Sequence, residues 1–331
     1  MKRALVIGAL VAALVIAGIW STAGPPPPAP TPEGSFAFGA FGDAPYFPWE
    51  DAKYPQVLRD MDQHGLTFAI NVGDIFYRPC SDAMFRRSLD WFNSLSMPLV
   101  YVPGDNEWTD CWKATAGAFA PLDRLARLRQ ILYPNPLMSL GGRAMPVESQ
   151  SVEPAYAEFV EHQRWAHAGL VFVTAHIVGS DNGMEAFDDR RAADDEAQRR
   201  RTEAAAAWVR RAFAEARTTG ATGVVIAFHG NLEFHRAATS RRRLAMDAFL
   251  TAIEQAASDF QGSILLIHGD DHEFTVDRQV RSRVLGRAMT NVTRLEVPGS
   301  PSVGWVRVIV TPGPSPSFTF EARVVPAWKF W

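Results

Sequence analysis

LTFAINVGD, residues 66–74, is an apolar run that stops on glycine and aspartate. It reads as a buried strand that ends in a tight turn. The same shape recurs on either side, in SFAFGAFGD (35–43) and MPLVYVPGD (97–105). Between these runs lie two segments with helical spacing of apolar residues. The first, 51–64, closes at Gly65, and the second, 81–95, carries Phe85, Leu89 and Phe92. Apolar strands that alternate with helices predict a parallel sheet with crossover connections. The strand-end aspartates Asp43, Asp74 and Asp105 stand 31 residues apart at each step. That is the length of a strand–helix–strand unit rather than a repeat of sequence.

Downstream, residues 114–132 have an amphipathic helical pattern, stopped by Pro134 and Pro136. Residues 155–165 and 169–176 suggest a hairpin around Ala168-Gly169, and 188–217 a long helix. The run DDRRAADDEAQRRRTE on that helix reads as a solvated face laced with i,i+4 charge pairs. GVVIAFHGN (223–231) is a further strand, 241–258 a helix, and SILLIHGDDH (263–272) a strand ending in a His/Asp cluster. Alternating segments near 291–297, 303–310 and 317–324 are expected to finish a second sheet. The whole predicts an α/β chain, with two sheets sandwiched between helix layers.

The chain has 331 residues, 47% hydrophobic and 21% charged, and a formal net charge of −3. That length supports a sizeable core. The charge offers nothing to a polyanion, and no basic stripe is interleaved with aromatics, so no nucleic-acid partner is indicated. No serine nucleophile elbow, phosphate-binding glycine loop or dinucleotide fingerprint appears. At the N-terminus, MKR is followed by the apolar run 4–20 and then STAG. This is the layout of a signal peptide cut after Ala23, or of an uncleaved membrane anchor. Residues 1–23 are therefore read as signal or anchor, GPPPPAPTPEG (24–34) as an extended linker, and 35–331 as the folded domain. The protein is expected to be exported: periplasmic, secreted or held at a membrane by its N-terminal segment alone.

Five strand ends carry residues suited to hard or borderline metals: Asp43, Asp74, Asp105-Asn106, His229, and the group His268, Asp270, Asp271 and His272. A lone aspartate after a strand is commonly a helix N-cap. Five such ends in a parallel sheet face one crevice, where α/β sites sit, and together they point to a metal site.

The order and spacing of these ends resemble the calcineurin-like metallophosphoesterases, which include the purple acid phosphatases. That family carries D-x-H, GD-x-x-D, GNH-D/E, a lone histidine after a strand, and GH-x-H. The matching stretches here are GDAP (42–45), GDIFY (73–77), GDNE (104–107), FHGN (228–231) and GDDH (269–272), so the likeness spans roughly residues 35–275. It implies a four-layer α/β/β/α sandwich of two mixed sheets flanked by helices. It also implies a dinuclear site, with Mn/Mg or Fe/Zn as its two divalent ions. Asp74 would bridge them, Asp43 and His272 would hold the first, and Asp105, His229 and Asp270 the second. The implied reaction is hydrolysis of a phosphomonoester or phosphodiester by a metal-activated water, on a small-molecule, lipid or glycan substrate.

The departures from the pattern are informative. Pro45 stands where the first motif has histidine, and the adjacent Tyr46 is a substitute. Tyr77 occupies the place of the tyrosine that binds ferric iron in purple acid phosphatases; otherwise it is an aromatic lining the loop. Asn106 stands where the family's histidine stabilises the transition state or protonates the leaving group; it donates hydrogen bonds but transfers no proton. The catalytic set implied is Asn106, Asp74 and His229, with Asn106 also counted among the metal-site residues. Asp270 replaces a histidine, which favours harder ions such as Mg²⁺, Mn²⁺ or Ca²⁺. His268 is an alternative imidazole ligand, or a strand-end histidine bonded to backbone. The GDNEW and GDDH variants resemble the pattern of a divergent subgroup.

Cys80 and Cys111, the two cysteines, each follow a strand-end aspartate by six residues. If those strands are neighbours, a Cys80–Cys111 disulfide ties the two loops together; the other possibility is two buried thiols. TAHIVGSDNG (174–183) is either a substrate-facing loop or a turn between layers. His64 suits a helix C-terminus, and His162, His167 and His235 are expected on the surface or in loops. Trp108 and Trp112 wall the crevice or pack between sheet and helix. Two non-enzymatic readings stand beside the hydrolase: an envelope protein that keeps the fold and a structural metal, and a Ca²⁺-dependent binding module.

Overall fold

Strands β1 (Phe36–Phe41), β2 (Ala69–Asn71) and β3 (Leu99–Tyr101) lie side by side and parallel, with Gly39 opposite Ala69 and Ala69 opposite Leu99. The computed structural model describes residues 29–234, 239–278, 280–282 and 286–324. The apolar run 4–20 and His235 lie outside the described residues. The described residues from Thr31 onward form one compact unit. Among the described residues, no helix is long and apolar enough to cross a membrane.

Next in the chain come β4 (Glu148–Ser149), β5 (Gln163–His167), β6 (Leu170–Thr174), β7 (Gly223–Ala227), β8 (Ser263–His268) and β9 (Thr275–Asp277). The last three are β10 (Val292–Glu296), β11 (Gly304–Thr311) and β12 (Ser317–Val324). One sheet has the order β12-β11-β1-β2-β3, the other β4-β5-β6-β7-β8-β10-β9. In the second sheet β6, β7, β8 and β10 run parallel, while β4, β5 and β9 are antiparallel to their neighbours. Both sheets are thus mixed.

Three apolar layers hold the sheets in register. Between the sheets, Phe38, Phe68 and Val100 of the first meet Phe172, Val225 and Leu265 of the second. The outer face of the first sheet is covered by helices Tyr54–Asp62, Asp82–Ser94 and Pro121–Leu132, with Phe85, Phe92 and Leu128 buried there. The outer face of the second is covered by helices Ala192–Thr219 and Asp247–Ser258, which bury Trp208, Phe213 and Phe249. The result is the four-layer α/β/β/α sandwich. Because strands of both sheets carry apolar residues on both faces, they read as near-continuous hydrophobic runs.

Several sequence expectations are corrected. The tail does not finish one sheet: β10 joins the second, while β11 and β12 extend the first beside β1. The helix expected over 114–132 begins only at Pro121, whose fixed φ suits a first helical position; short 3₁₀ turns, Thr109–Trp112 and Ala114–Ala116, precede it. The hairpin strand expected from 155 starts at Gln163, after a 3₁₀ turn at Pro154–Tyr156. His162 is not on the surface: it is fully buried, with Nδ1 2.6 Å from the Gln150 side chain. His167 lies in β5, edge-on to Phe36 at 4.5 Å. His64 sits just past the Tyr54–Asp62 helix, its Nδ1 donating to the Asp60 carbonyl at 2.5 Å.

Cys80 and Cys111 form a disulfide, with a Cα–Cα distance of 5.7 Å. It joins the loop after β2 to the loop after β3 and lies against the Asn106 carbonyl oxygen, 3.2 and 3.6 Å from the two sulfurs. The closed loop spans 31 residues, so chain entropy assigns the bridge about 3–4 kcal/mol. The double variant C80A/C111A should lose about 2–4 kcal/mol of unfolding free energy in urea titration; an unchanged midpoint and slope would refute a stabilising role.

Candidate metal centre

The site is built where five strands stop. After β1, β2 and β8 the chain turns through left-handed backbone at residues other than glycine: Asp43 has φ 53°, Asp74 56°, Asp270 85° and His272 67°. Aspartate and histidine are enriched among residues that tolerate this conformation, yet it carries strain that the surrounding fold must hold. Two glycines let the carboxylates press against backbone. A Cβ on Gly104 would lie 2.1 Å from Asp74 Oδ1, and one on Gly269 would lie 2.0 Å from Asp43 Oδ2. No larger residue fits at either place.

Asp43, Asp74 and His272 form one triad and Asp74, Asp105 and His229 a second; within each, one donor atom per residue lies within 4.8 Å of the others. Asp74 belongs to both. His229 Nε2 is 2.8 Å from Asp105 Oδ1, 3.5 Å from Asp74 Oδ1 and 3.9 Å from Asp270 Oδ1. Its Nδ1 is 2.8 Å from the Val72 carbonyl. A carbonyl only accepts, so this contact assigns the proton to Nδ1 and turns Nε2 toward the carboxylates. His272 repeats the arrangement, with Nδ1 donating to the Ser300 carbonyl at 2.9 Å and Nε2 3.7 Å from Asp43 Oδ1. An imidazole tied through one nitrogen to a carbonyl, with its other nitrogen among carboxylates, is suited to a cation.

The electrostatics agree. Burial, reinforced by the charge of Asp74, holds the Asp43 carboxyl well above its ordinary value. Burial and Asp105 raise Asp74. Burial and Asp105 push Asp270 up to about 7. His229 is buried, which opposes its charging, yet Asp74 and Asp105 hold its pKa well above the usual histidine value. For Asp105, burial is outweighed by the bond from His229, and its pKa is lowered. Asp43 Oδ2 is buried with no hydrogen-bond partner among the described residues. Clustered carboxylates that resist ionising together, an orphaned carboxylate oxygen and two oriented imidazoles fit divalent cations. Asp43, Asp74, Asp105, His229, Asp270 and His272 could hold them.

Asn106 grips Asp74 twice, through its backbone N–H to Oδ1 at 3.0 Å and its side-chain amide to Oδ2 at 2.8 Å. Two expected candidates stand elsewhere. His268 is buried, with Nδ1 2.7 Å from the Gly269 carbonyl and Nε2 3.2 Å from Arg294; burial lowers its pKa to about 3. It is the strand-end histidine bonded to backbone, because β10 pairs beside it and brings Arg294 across. Tyr77 is 37% exposed and stacks on Tyr46 at 5.5 Å, while Tyr46 is the tyrosine that reaches the carboxylates, donating its hydroxyl to Asp74 Oδ2.

The 174–183 segment divides in two. His176 turns into the core, donating from Nδ1 to Glu161 at 2.6 Å and accepting from the Trp108 indole at 3.1 Å. Trp108 packs with Leu125 and Val178, whereas Trp112 stacks on Phe187 at 5.6 Å. Gly179 and Ser180 reach the crevice instead. The Ser180 hydroxyl is 2.9 Å from Asp105 Oδ2 and 2.8 Å from Asp110 Oδ1. Sequence reading missed Ser180. The only trace was the composition Ser-Asp-Asn, which tolerates the three successive left-handed residues seen here. It also passed over Glu107, buried beneath Asp74, whose carboxyl burial pushes up to about 8; it accepts from the Ile75 N–H at 3.2 Å and the Tyr101 hydroxyl at 2.9 Å. Asn231 bonds both Asp270, through its N–H at 3.1 Å, and Asp271, through its amide at 2.7 Å.

Among solved structures, the fold is shared with PhoD, at TM-score 0.56 and 13% identity, covering 89% of this chain and 70% of that one. A weaker likeness, TM-score 0.40 at 12% identity, is to the phosphopantetheinyl hydrolase PptH of Mycobacterium tuberculosis, over 80% of this chain and 90% of that one. No protein-family model matches the sequence. No curated protein matches it either. The likeness to PhoD is one of fold, the α/β/β/α sandwich.

The proton balance of the centre gives a test. Asp43, Asp74, Glu107 and His229 bind protons more tightly folded than unfolded, so the stability they contribute is lost as pH rises through their folded values. Buried neutral His162, His176 and His268 act oppositely, but only below the ordinary histidine value of 6.5. From pH 6.5 to about 8 those histidines no longer oppose, and Asp270 and Glu296, both pushed up to about 7, titrate there with Glu107 in the same falling sense. With a chelator present, the melting temperature should fall by a few degrees across that window. Mn²⁺ should flatten or reverse the fall, because it binds the deprotonated folded site. Calorimetric melts with equal slopes in chelator and in Mn²⁺ would contradict the centre.

Proposed function

We propose that this chain is an exported metal-dependent phosphoesterase, hydrolysing a phosphomonoester or phosphodiester at a dinuclear centre. The observation that carries the reading is the sharing of Asp74 between two carboxylate–imidazole triads. Bound divalent ions supply water activation and neutralise the phosphoryl oxygens. In the net reaction, a P–O bond forms to water oxygen, the P–O bond to the alcohol breaks, and a proton from water ends on the departing alcohol oxygen.

The chain's own residues hold and orient. Asn106 and Tyr46 donate to Asp74 from different loops, fixing the shared carboxylate without moving a proton to substrate. Ser180 steadies Asp105, and the Val72 and Ser300 carbonyls aim His229 and His272. Asn106 at the position where the family's histidine assists the leaving group favours alcohols that depart readily as anions. The N-terminal signal-like segment and the disulfide support export.

A second reading keeps the fold and a structural or Ca²⁺-binding metal site without catalysis; the amide of Asn106, spent on Asp74, favours it. The variant D74N separates the two. An active wild type assayed with Mn²⁺ on aryl phosphomonoesters and diesters should lose at least about 10³-fold in kcat/KM in D74N, with bound metal reduced in elemental analysis. Wild-type protein that binds metal yet hydrolyses neither ester class under any divalent ion would establish the non-catalytic reading.

A further inference from the structure

Nine large hydrophobic side chains are exposed among the described residues, and every aromatic one follows a residue of the Asp43–Asp74–His272 triad closely in sequence. Phe47 (38% exposed) and Trp49 (44%) follow Asp43; Tyr77 (37%) follows Asp74; Phe274 (42%) follows His272. Three separate segments, each starting at a triad residue, therefore carry exposed aromatic rings within six residues of it. Phe47 and Trp49 stack face to face, their centroids 4.4 Å apart at 5°. Tyr46 links the rim to the centre: it packs edge-on to His272 at 5.1 Å and stacks on Tyr77, over which Arg78 lies at 4.2 Å.

The neighbourhood of Asp105 and Asp270 has another character, with Ser180 on Asp105 and the Arg242 charge felt by Asp270. There Arg241 and Arg242 lie 3.0 and 3.6 Å from Asp181, and Lys113 lies 3.6 Å from Glu185. Exposed apolar side chains scattered singly need no explanation, but a group of rings beside a crevice marks a binding surface. The mouth is apolar beside one triad and charged beside the other.

We propose that the phosphoester taken by this site carries its phosphoryl group on a bulky, ring-bearing apolar alcohol, which lies against the rim of Phe47, Trp49, Tyr77 and Phe274. The inference rests on the phosphoesterase reading and names its substrate class. The phosphoryl group sits at the carboxylate–imidazole centre, and the ring leaves water on the outer face of the Phe47–Trp49 pair. Planar rings match this surface better than a sugar or a small alkyl group, because they bury apolar area against the stacked pair while few torsions are frozen.

The test compares phenethyl phosphate with ethyl phosphate in the Mn²⁺-loaded protein. Both alcohols are primary and of similar acidity, so the ratio of their kcat/KM values reports the ring. A ratio of at least about 10 is expected from burial of a phenyl group. F47A/W49A should bring it close to one. The control Val152→Ala, an exposed residue on the turn Gln150–Val152 beside β4, should leave it unchanged. A wild-type ratio near one, or a ratio that survives F47A/W49A, overturns the inference while leaving the phosphoesterase reading intact. Should neither alkyl ester turn over, the phosphoesterase reading is still decided on the aryl esters, whose alcohols depart more readily as anions. The rim is then judged by calorimetric binding of phenethylphosphonate against ethylphosphonate: affinity at least about tenfold tighter for the ring supports it, and equal affinity overturns it.

Discussion

Four carboxylates, Asp43, Asp74, Asp105 and Asp270, converge on one crevice, and their mutual repulsion is the constraint around which the rest is arranged. In water such groups would move apart. Here they cannot, because each is fixed to a strand end and three of them to left-handed backbone. The fold answers with donors: the backbone N–H of Asp270 on Asp43 at 3.0 Å, that of Asn106 on Asp74, the hydroxyls of Tyr46 and Ser180, and the imidazole of His229. These bonds stabilise the ionised forms only in part, as the raised values of Asp43, Asp74 and Asp270 record. The remaining negative charge is what suits the crevice to cations.

The sandwich behind the crevice makes this placement possible. Parallel strands send their C-terminal ends the same way, so β1, β2, β3, β7 and β8 deliver their terminal residues to one edge. The inter-sheet layer of Phe38, Phe68, Phe172 and Val306 then sets the distance between the two groups of ends. His229, from the second sheet, bonds the Val72 carbonyl of the first, so one imidazole both serves the centre and ties the sheets together. An imidazole lost from this position would remove a structural tie as well as a donor.

Much of this was legible in the sequence because strand ends are local. Apolar runs stopped by Gly-Asp or His marked Asp43, Asp74, Asp105, His229 and the group from His268 to His272, and the family resemblance singled out Asp270 and His272 within that group. Equal spacing placed Cys80 and Cys111 on neighbouring loops. What escaped depends on contacts between distant segments. Ser180 meets Asp105 across 75 positions of chain, and no periodicity signals it. The motif position favoured Tyr77 over Tyr46, and only the packing of one over the other decides that Tyr46 touches Asp74. The tail strands alternate alike, so their pattern could not tell which sheet each would join. His268 and His272 lie four residues apart on one turn, and the pairing of β10 turns the first toward Arg294.

The disulfide has a consequence for the life of the centre. Many small metal sites exist only while the ion is present, because the ion is what gathers the ligands. Here a covalent bond joins the loop that follows Asp74 to the loop that follows Asp105 and lies under the Asn106 carbonyl. For these two loops the gathering is therefore done in advance, by sulfur chemistry. Two loops joined in this way stay together whether or not the crevice is filled.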